Sequence, residues 1–289
     1  MRTKNTTRKY ELLLVTVIAA RASSFILSKM ILRSMASFNL LAVRFLLAFL
    51  LLGLLFFRQL RQITRRDLLS GMIIGTLFFM TMSFELRALT EADSSLVSLL
   101  ENCSIIFVPL FGIAFTRKLP DRLTALSAVT AMLGVGCLAL AHGSLRGGFA
   151  YGLLSGACYA LAILATAKLT EHSGDTLCVG IVQVGTIGLL ALFATLLIVP
   201  APHLPGSRQE WLMLLGLSAV CTGFGFTLQP VAQSHVSAAR AGLFCAVSPA
   251  IASLLGVLVL HERFTPLSIV GLALILGSIT LPYLIHMKK

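Results

Sequence analysis

Ten apolar stretches, each about 20 residues long, follow one another through almost the whole 289-residue chain. Crossing about 30 Å of hydrocarbon takes roughly 20 helical residues. Continuous apolar runs of this length predict α-helices, because a helix satisfies its own backbone in lipid and a barrel strand would alternate. The chain is therefore predicted to be an all-α integral membrane protein with ten transmembrane helices. The stretches are residues 12–32, 38–57, 68–89, 96–115, 123–141, 149–168, 177–199, 211–231, 238–260 and 266–285.

Composition and charge fit a membrane protein. A hydrophobic fraction of 57%, a charged fraction of 12% and a mean hydropathy of +0.94 leave too little polar surface for a soluble globule. The net charge of +12 does not indicate a nucleic-acid partner. Most of the 23 lysines and arginines fall in tails and loops on the same side of the membrane as the N-terminus, as the positive-inside rule predicts for the cytoplasmic side. An even number of helices places both tails, 1–11 and 286–289, on the same side of the membrane, and the excess of basic residues predicts that this side is the cytoplasm. We expect a multi-pass protein of the bacterial inner membrane.

The two halves of the chain resemble each other. Residues 12–141 align with residues 149–285, and similar residues keep their order and nearly their spacing. The matched pairs include Lys29 with Lys168, Arg44 with Gln183, Ser104 with Ser248, Gly112 with Gly256 and Gly136 with Gly277. Because five helices are an odd number, the second half enters the membrane in the opposite orientation. The sequence therefore predicts two inverted five-helix repeats, with a substrate site near the midplane between them.

Several short motifs resemble one known family. They are RASSF at 21–25, AVRF at 42–45, ARAGLFCAVSP at 239–249, HER at 261–263 and GLALILG at 271–277. On these residues the chain resembles, over essentially its whole length, the EamA-like family of the drug/metabolite transporter superfamily. The resemblance implies a ten-helix exporter or exchanger of small metabolites. Where the family usually has Trp-Gly-Ser-Ser in the first helix, this chain has Arg-Ala-Ser-Ser at 21–24, which adds a cation near mid-membrane.

Three charged residues, Arg21, Arg44 and Glu101, fall inside predicted helices. A charge at the bilayer centre costs about 3 kcal/mol or more, so such a group normally faces a partner or a polar cavity. Arg44 and Glu101 lie at matched depth, each about 10 Å from the outer end of its helix, and we expect an ion pair between them. Two interpretations stay open. The pair is a permanent salt bridge, or Glu101 binds a substrate cation or a coupling proton while an arginine holds a substrate anion.

Neutral hydrogen-bonding residues at similar depth complete the predicted site. The predicted substrate-binding residues are Arg21, Ser24, Arg44, Glu101, Asn102, Tyr159 and Gln183, and Glu101 is also the predicted coupling residue. Each has a structural alternative, because polar groups in membrane helices also bond neighbouring helices. In the structural alternative, Arg21 extends its charged end toward the membrane surface or pairs with Glu101. Tyr159 would then only pack within the protein and would not stack on a substrate.

Other polar residues are given structural roles. Glu85 and Arg87 lie near the outer end of the third helix and are predicted to be solvated. Gln229 adjoins Pro230 at the inner end of the eighth helix, where a plain kink is favoured over a gate. Glu262, in an external turn, is expected to cap the next helix or to pair with a basic neighbour.

Small residues spaced by four predict close contacts between helices. Gly71 and Gly75 form one such pair, and Gly148, Gly152 and Gly156 form a longer strip on one helix face. These contacts lie either within one chain or across a homodimer, and the sequence leaves both a monomer and a homodimer open.

Motifs of other protein classes are not found in the sequence. It has no P-loop, HExxH, nucleophile elbow, dinucleotide-binding glycine motif or potassium-channel filter. The six cysteines form no CxxC or Cys/His pattern. We therefore expect no enzyme activity, no catalytic residue, no cofactor and no metal site.

The favoured function is secondary active transport. The chain is expected to export a small polar metabolite, such as an amino acid, by alternating access through a central site. One alternative is an exchanger of phosphorylated or nucleotide-linked metabolites, because two intramembrane arginines suit an anion. A non-transporting membrane scaffold is the alternative from another class. The expected partners are a small-molecule substrate, the lipid bilayer and a proton or counter-substrate, and no nucleic acid.

Overall fold

The computed structural model describes residues 4–104, scattered positions between 106 and 140, and residues 147–171, 173–233, 247–262 and 265–286. All regular structure in these ranges is helical. The elements are α1 (Lys4–Ile31), α2 (Ser37–Leu55), α3 (Phe57–Leu60), α4 (Arg65–Glu91), α5 (Ser94–Asn102), α6 (Gly147–Thr170), α7 (Thr176–Ile198), α8 (Arg208–Gly216), a π-helix (Leu217–Phe224), α9 (Gly225–Gln233), α10 (Val247–Leu260) and α11 (Pro266–His286). Most of the predicted fifth stretch, 123–141, and the beginning of the ninth, 238–246, lie outside the described residues.

Six helical segments are long and apolar enough to cross a membrane. They are Lys9–Ile31, Ser37–Leu55, Arg65–Glu91, Gly148–Thr170, Thr176–Ile198 and Arg208–Gln229. Two shorter apolar helices, Ser94–Val108 and Pro266–Ser278, accompany them. Each coincides with a stretch predicted from the sequence, so the all-helical membrane class is confirmed.

The bundle exposes large apolar side chains and buries several charged and polar ones among its apolar core. Leu54 and Leu55 are 81% and 76% exposed, whereas the Arg44 side chain is fully buried. Exposed leucine is favourable when the surrounding solvent is lipid, and polar groups must then find partners inside the protein. This arrangement places the chemistry of the molecule between the helices.

Local capping fixes where several helices begin. The Thr64 hydroxyl accepts the Asp67 amide at the start of α4, and the Asp175 carboxylate accepts two amides at the start of α7. Ser207 and Glu210 form a reciprocal capping box at the start of α8. Such caps satisfy amides that a helix leaves unpaired and contribute about 1 kcal/mol each.

Glycines bring the helices into close contact. A Cβ atom at Gly71 or Gly75 of α4 would lie 2.7 Å from Val182 or Thr186 of α7. Gly148, Gly152 and Gly156 form the second set, on α6. They let α5 pack closely against α6, because a Cβ atom at Gly156 would meet the carbonyl oxygens of Leu100 and Glu101. Both glycine sets therefore contact helices of the same chain, and the second brings the backbone of Glu101 against α6.

A polar cluster joins three helices at one end of the bundle, which we call the Lys29 end. Glu262, just after α10, accepts hydrogen bonds from the backbone and hydroxyl of Ser94 and Ser95, three of them at 2.7 Å. Lys29 of α1 lies 3.1 Å from Glu262 and 3.3 Å from Asp93. Glu262 therefore caps α5, and not the helix that follows it, while it also pairs with a basic neighbour.

Burial disfavours ionisation of Glu262, but the hydrogen bonds from Ser95 and Ser94 and the charge of Lys29 outweigh it and lower the pKa of this carboxyl group. A lowered pKa means that the folded protein stabilises the ionised form. The contribution to stability is therefore present at neutral pH and is lost as the pH falls through the folded-state pKa.

Gly75→Ala should destabilise the protein by about 1–3 kcal/mol, because the added methyl group overpacks the α4–α7 contact. The matched control is Gly53→Ala on α2, where an added Cβ meets no atom within 4 Å. Thermal unfolding in detergent should show a lower Tm for Gly75→Ala and an unchanged or higher Tm for Gly53→Ala. Equal Tm values for the two variants would contradict this account of the packing.

Glu262→Gln should lower the Tm by several degrees at pH 7, because it removes the charge that caps α5 and pairs with Lys29. The difference from wild type should shrink as the pH is lowered below about 4.5, where the wild-type carboxyl group also loses its charge. Asp93→Asn, at the more exposed partner of Lys29, is the control and should have a smaller effect at pH 7. A difference that persists unchanged at low pH would show that the carboxylate charge is not responsible.

Candidate functional site

A small polar cavity lies between α1, α4, α5, α6, α9 and α10. Its volume is about 30 Å³, room for about two water molecules. It is lined by Ile18, Arg21, Ser24, Phe25, Met82, Glu85, Glu101, Asn102, Tyr159, Phe226, Gln229 and Ser248. Two carboxyl groups, one guanidinium group and several neutral hydrogen-bonding groups thus face one space.

Arg21 makes several polar contacts in the cavity wall. Its Nη1 atom donates to the Tyr159 hydroxyl over 2.9 Å and also to Gln229 Oε1. Its Nη2 atom lies 3.8 Å from Glu101 Oε1. The guanidinium carbon lies 4.4 Å from the centre of the Phe226 ring, close enough for a cation–π interaction. These contacts hold the cation in the cavity wall.

Two glycines make room for the residues of this wall. A Cβ atom at Gly225, the first residue of α9, would lie 2.9 Å from the Arg21 side chain. Gly156 of α6 allows the backbone at Glu101 to approach. Helix packing therefore positions both members of the Arg21–Glu101 pair.

Glu85 belongs to the cavity, and its predicted solvated position is wrong. The residue is 1% exposed and lines the same cavity as Glu101, which is 3% exposed. The prediction placed Glu85 near a helix end, but α4 continues to Glu91 and turns Thr81, Met82 and Glu85 toward the interior. Arg87 and Glu91 lie at the more exposed surface instead, 2.8 Å apart.

Arg44 is buried beside the cavity and does not line it. Its Nε atom donates to the Thr222 hydroxyl over 2.6 Å, and its Nη1 atom lies 3.4 Å from Ser28 Oγ. No acceptor among the described residues bonds its Nη2 atom. The ion pair expected between Arg44 and Glu101 does not form. Arg21, and not Arg44, is the ion-pair partner of Glu101 in the described chain.

The partner of Arg44 belongs to an unusual helical turn. Residues Leu217–Phe224 form a π-helix between α8 and α9, and the Thr222 hydroxyl donates to the Leu217 carbonyl oxygen five residues earlier. Such wide turns are rare in proteins, and those that occur are often found at functional sites. The turn places Thr222 against Arg44 and directs α9, with Phe226 and Gln229, toward the cavity.

The predicted site residues separate into two groups. Arg21, Ser24, Glu101, Asn102 and Tyr159 line the cavity. Arg44 and Gln183 are both buried but lie outside its wall.

Tyr159 packs edge-on against Phe78 while its hydroxyl accepts hydrogen bonds from Arg21 and Gln229. It therefore combines the packing role and the polar role that the sequence left open.

Sequence reasoning missed seven residues of the cavity wall, among them Glu85, Gln229 and Phe226. Gln229 was assigned to a kink beside Pro230, yet its side chain contacts both Arg21 and Tyr159. The only available signal was its polarity within an apolar helix. Phe226 gave no signal, because an aromatic residue in a membrane helix is unremarkable.

The cavity can offer opposite charges to one small molecule. Arg21 presents a cation to a carboxylate, and Glu85 and Glu101 present oxygens to an amine. Within the described chain, no group of three or more His, Cys, Asp or Glu side chains could hold a metal ion. The site therefore suits recognition of a small polar molecule.

Comparison with solved structures supports the fold. One crystal structure matches with a TM-score of 0.70, covering 96% of this chain and 99% of that chain at 16% identity. At this identity the likeness concerns the fold alone.

Two relatives are transporters by name. An uncharacterized transporter of Archaeoglobus fulgidus is 24% identical over 209 residues, which cover 71% of this chain and 73% of that protein. The threonine/homoserine exporter RhtA of Escherichia coli K12 is 27% identical over 137 residues, covering 45% of this chain and 43% of RhtA.

Family assignment rests on nearly the whole sequence. The sequence profile of one family matches twice, over residues 8–140 and 146–284. This confirms the resemblance that the short motifs indicated. The two matches leave few residues uncovered, and the relatives named above are consistent with them. The chain is a multi-pass membrane protein that belongs to the EamA-like transporter family of the drug/metabolite transporter superfamily.

Proposed function

We propose that the chain is a secondary active transporter that exports a small zwitterionic metabolite, such as an amino acid, by alternating access. The observation that supports this most is the central cavity, where the Arg21 guanidinium group and the carboxyl groups of Glu85 and Glu101 face one space. The name of RhtA, a threonine/homoserine exporter, supports the same substrate class. In this proposal the substrate carboxylate binds Arg21 and its amine binds the two glutamates.

The other cavity residues have supporting roles in the proposed site. Tyr159 and Gln229 hold the Arg21 side chain by hydrogen bonds, so it is preorganised for the carboxylate. Ser24 and Asn102 line the wall and offer neutral hydrogen-bonding groups. Arg44 lies behind the cavity, where its positive charge offsets the second carboxyl group. Gln183 packs outside the wall and has no assigned contact with substrate.

Two alternatives fit the site less well. A phosphorylated substrate would bring two negative charges to a place where two carboxyl groups already offset the two arginines. A scaffold without transport would have no use for a cavity lined by hydrogen-bonding groups, since well-packed apolar residues would stabilise the bundle equally well. The charge balance of the cavity therefore favours a zwitterion.

The proposed architecture is ten helices in two inverted repeats, 12–141 and 149–285, with both tails cytoplasmic in a bacterial inner membrane. Contacts between helices support it. If α1, α2, α4 and α5 are exchanged with α6, α7, the α8–α9 segment and α10, the most extensive packing pairs map onto one another. Thus α4 packs on α6 as α9 packs on α1, and α5 packs on α6 as α10 packs on α1. Such exchange symmetry is expected of inverted repeats.

The small size of the cavity supports alternating access. About 30 Å³ does not hold an amino acid, so substrate binding requires helices to separate. At the Lys29 end, the Glu262 cluster ties α1, α5 and α10 together, so opening on that side would have to break these contacts. Opening toward either side would then proceed by rocking of one repeat against the other.

The test is exchange of radiolabelled L-threonine, homoserine and other amino acids in proteoliposomes, beside a panel of phosphorylated metabolites. We expect saturable amino-acid exchange by the wild type. Arg21→Gln should weaken binding about 10- to 100-fold, because a hydrogen bond to a charged group contributes about 1.5–3 kcal/mol. Tyr159→Phe keeps the ring and should weaken binding less, because only a neutral hydroxyl contact is lost.

Arg87→Gln, on the exposed surface of α4, is the matched control and should bind as the wild type does. Because removal of Arg21 leaves Glu101 without its ion-pair partner, folding of each variant is checked by gel filtration and Tm. Exchange of phosphorylated metabolites but of no amino acid would replace the proposal by the anion exchanger. Amino-acid binding that is unchanged in both Arg21→Gln and Tyr159→Phe would remove the cavity from the substrate path.

A further inference from the structure

The carboxyl groups of Glu85 on α4 and Glu101 on α5 meet inside the bundle. They are 1% and 3% exposed, and both face the cavity. Glu85 Oε1 and Glu101 Oε2 are shielded from solvent, and no described N–H or O–H group donates to either oxygen. Both carboxyl groups line one cavity of about 30 Å³, so little water can separate their charges. Two buried carboxylates in one small space repel each other, whereas one proton held between them removes the repulsion and gives the unpaired oxygens a donor.

We propose that Glu85 and Glu101 share one proton when no substrate is bound, and that the ammonium group of a substrate displaces this proton. The inference rests on the proposed function, since it assigns the driving ion to the same site. An ammonium group has three N–H donors and one positive charge, so it can bond one oxygen of each carboxylate. The site then holds either a proton or an amine, and the displaced proton leaves to water.

Neighbouring charges set the limits of this exchange. The ionisable groups that face the pair are Arg21 on α1, Arg44 on α2 and Tyr159 on α6, with Cys221 of the π-helix beside Arg44. With one shared proton, the two arginines and two glutamates carry a net charge of about +1, and this charge attracts the substrate carboxylate. When the ammonium group replaces the proton, the positive charge between the two carboxylates stays the same, and the substrate carboxylate brings the total charge of the site from about +1 to about 0. Substitution of one cation by another therefore avoids burial of an uncompensated charge.

Competition between proton and amine produces antiport. A proton that enters from the acidic outer side would displace the amine and favour release there, while substrate binding on the inner side would displace the proton. The geometry thus assigns Glu85, which the sequence placed at the surface, a direct part in coupling. Glu101 alone would bind the proton or the ammonium group with a single carboxylate. The pair offers both of these cations the same two oxygens, one from each glutamate.

The decisive variant is Glu85→Gln, whose amide can donate to Glu101 in the place of the shared proton. In detergent, Kd for radiolabelled L-threonine is measured from pH 5.5 to pH 8.5. One proton released per substrate bound makes the wild-type Kd fall about tenfold per pH unit where the pair titrates. In Glu85→Gln the Kd should be independent of pH over this range. Binding by the wild type should also release protons into a weakly buffered solution.

Proteoliposomes separate coupling from transport. Glu85→Gln should show weaker threonine counterflow, because the amine loses one of its two carboxylates, and the transport that remains at saturating threonine should not be driven by a proton gradient. Glu91→Gln, on the same helix but in the exposed pair with Arg87, is the matched control and should keep both activities. Gel filtration and Tm verify that each variant is folded.

The outcomes distinguish failure of the proposed transport function from failure of the coupling inference alone. Wild-type protein that shows no counterflow of any amino acid would remove the proposed function and the coupling inference with it. Counterflow in the wild type, together with gradient-driven accumulation that survives in Glu85→Gln, would overturn only the coupling inference. Accumulation that follows a sodium gradient, with a Kd that does not depend on pH in the wild type, would likewise overturn it.

Discussion

Ionised side chains that lie between lipid-facing helices persist only if countercharges and hydrogen bonds replace the water they have lost. Arg21, Arg44, Glu85 and Glu101 satisfy this requirement together, since two guanidinium groups and two carboxyl groups share one region of the bundle. The surrounding elements follow from the arrangement. Tyr159 and Gln229 complete the bonds of Arg21, and the π-helix offers Thr222 to Arg44. The apolar outer surface of the bundle faces the lipid.

Close helix packing determines which carboxyl group meets which arginine. Gly156 lets the backbone at Glu101 approach α6, and Gly225 leaves room for the stem of Arg21. Together these contacts bring Arg21 and Glu101 to the same wall, although they lie on different helices. A glycine in a membrane helix contributes no side chain to a site, yet its missing Cβ decides the distance between two helix backbones.

The sequence was sufficient for the helices and for the depth of polar residues along them. Arg21, Ser24, Glu101, Asn102 and Tyr159 were selected by depth within apolar runs, and all five line the cavity. Depth does not say which way a side chain points around the helix axis, and a helix that is apolar on every face has no amphipathic pattern to indicate it.

For this reason Arg44 was paired with Glu101 at matched depth, although the two point to different neighbours. Glu85 is predicted to be solvated because it lies near the end of its apolar stretch, yet α4 continues to Glu91 and buries it. Gln229 was misplaced because no feature of residues 217–224 identified the π-helix that precedes it.

That π-helix fixes the angular relation between the two parts of one membrane span. A turn closed by bonds between residues five apart holds one residue more than an α-turn. Each residue of an α-helix advances the chain by about 100° around the axis. Loss of a single residue from Leu217–Phe224 would therefore turn α9 by roughly a quarter of a revolution relative to α8. The amino-acid sequence of α9 itself would be unchanged. Phe226 and Gln229 would then face a neighbouring helix or lipid, and the span would remain as hydrophobic as before. The identity of the site thus depends on the length of this turn as well as on the residues that it positions.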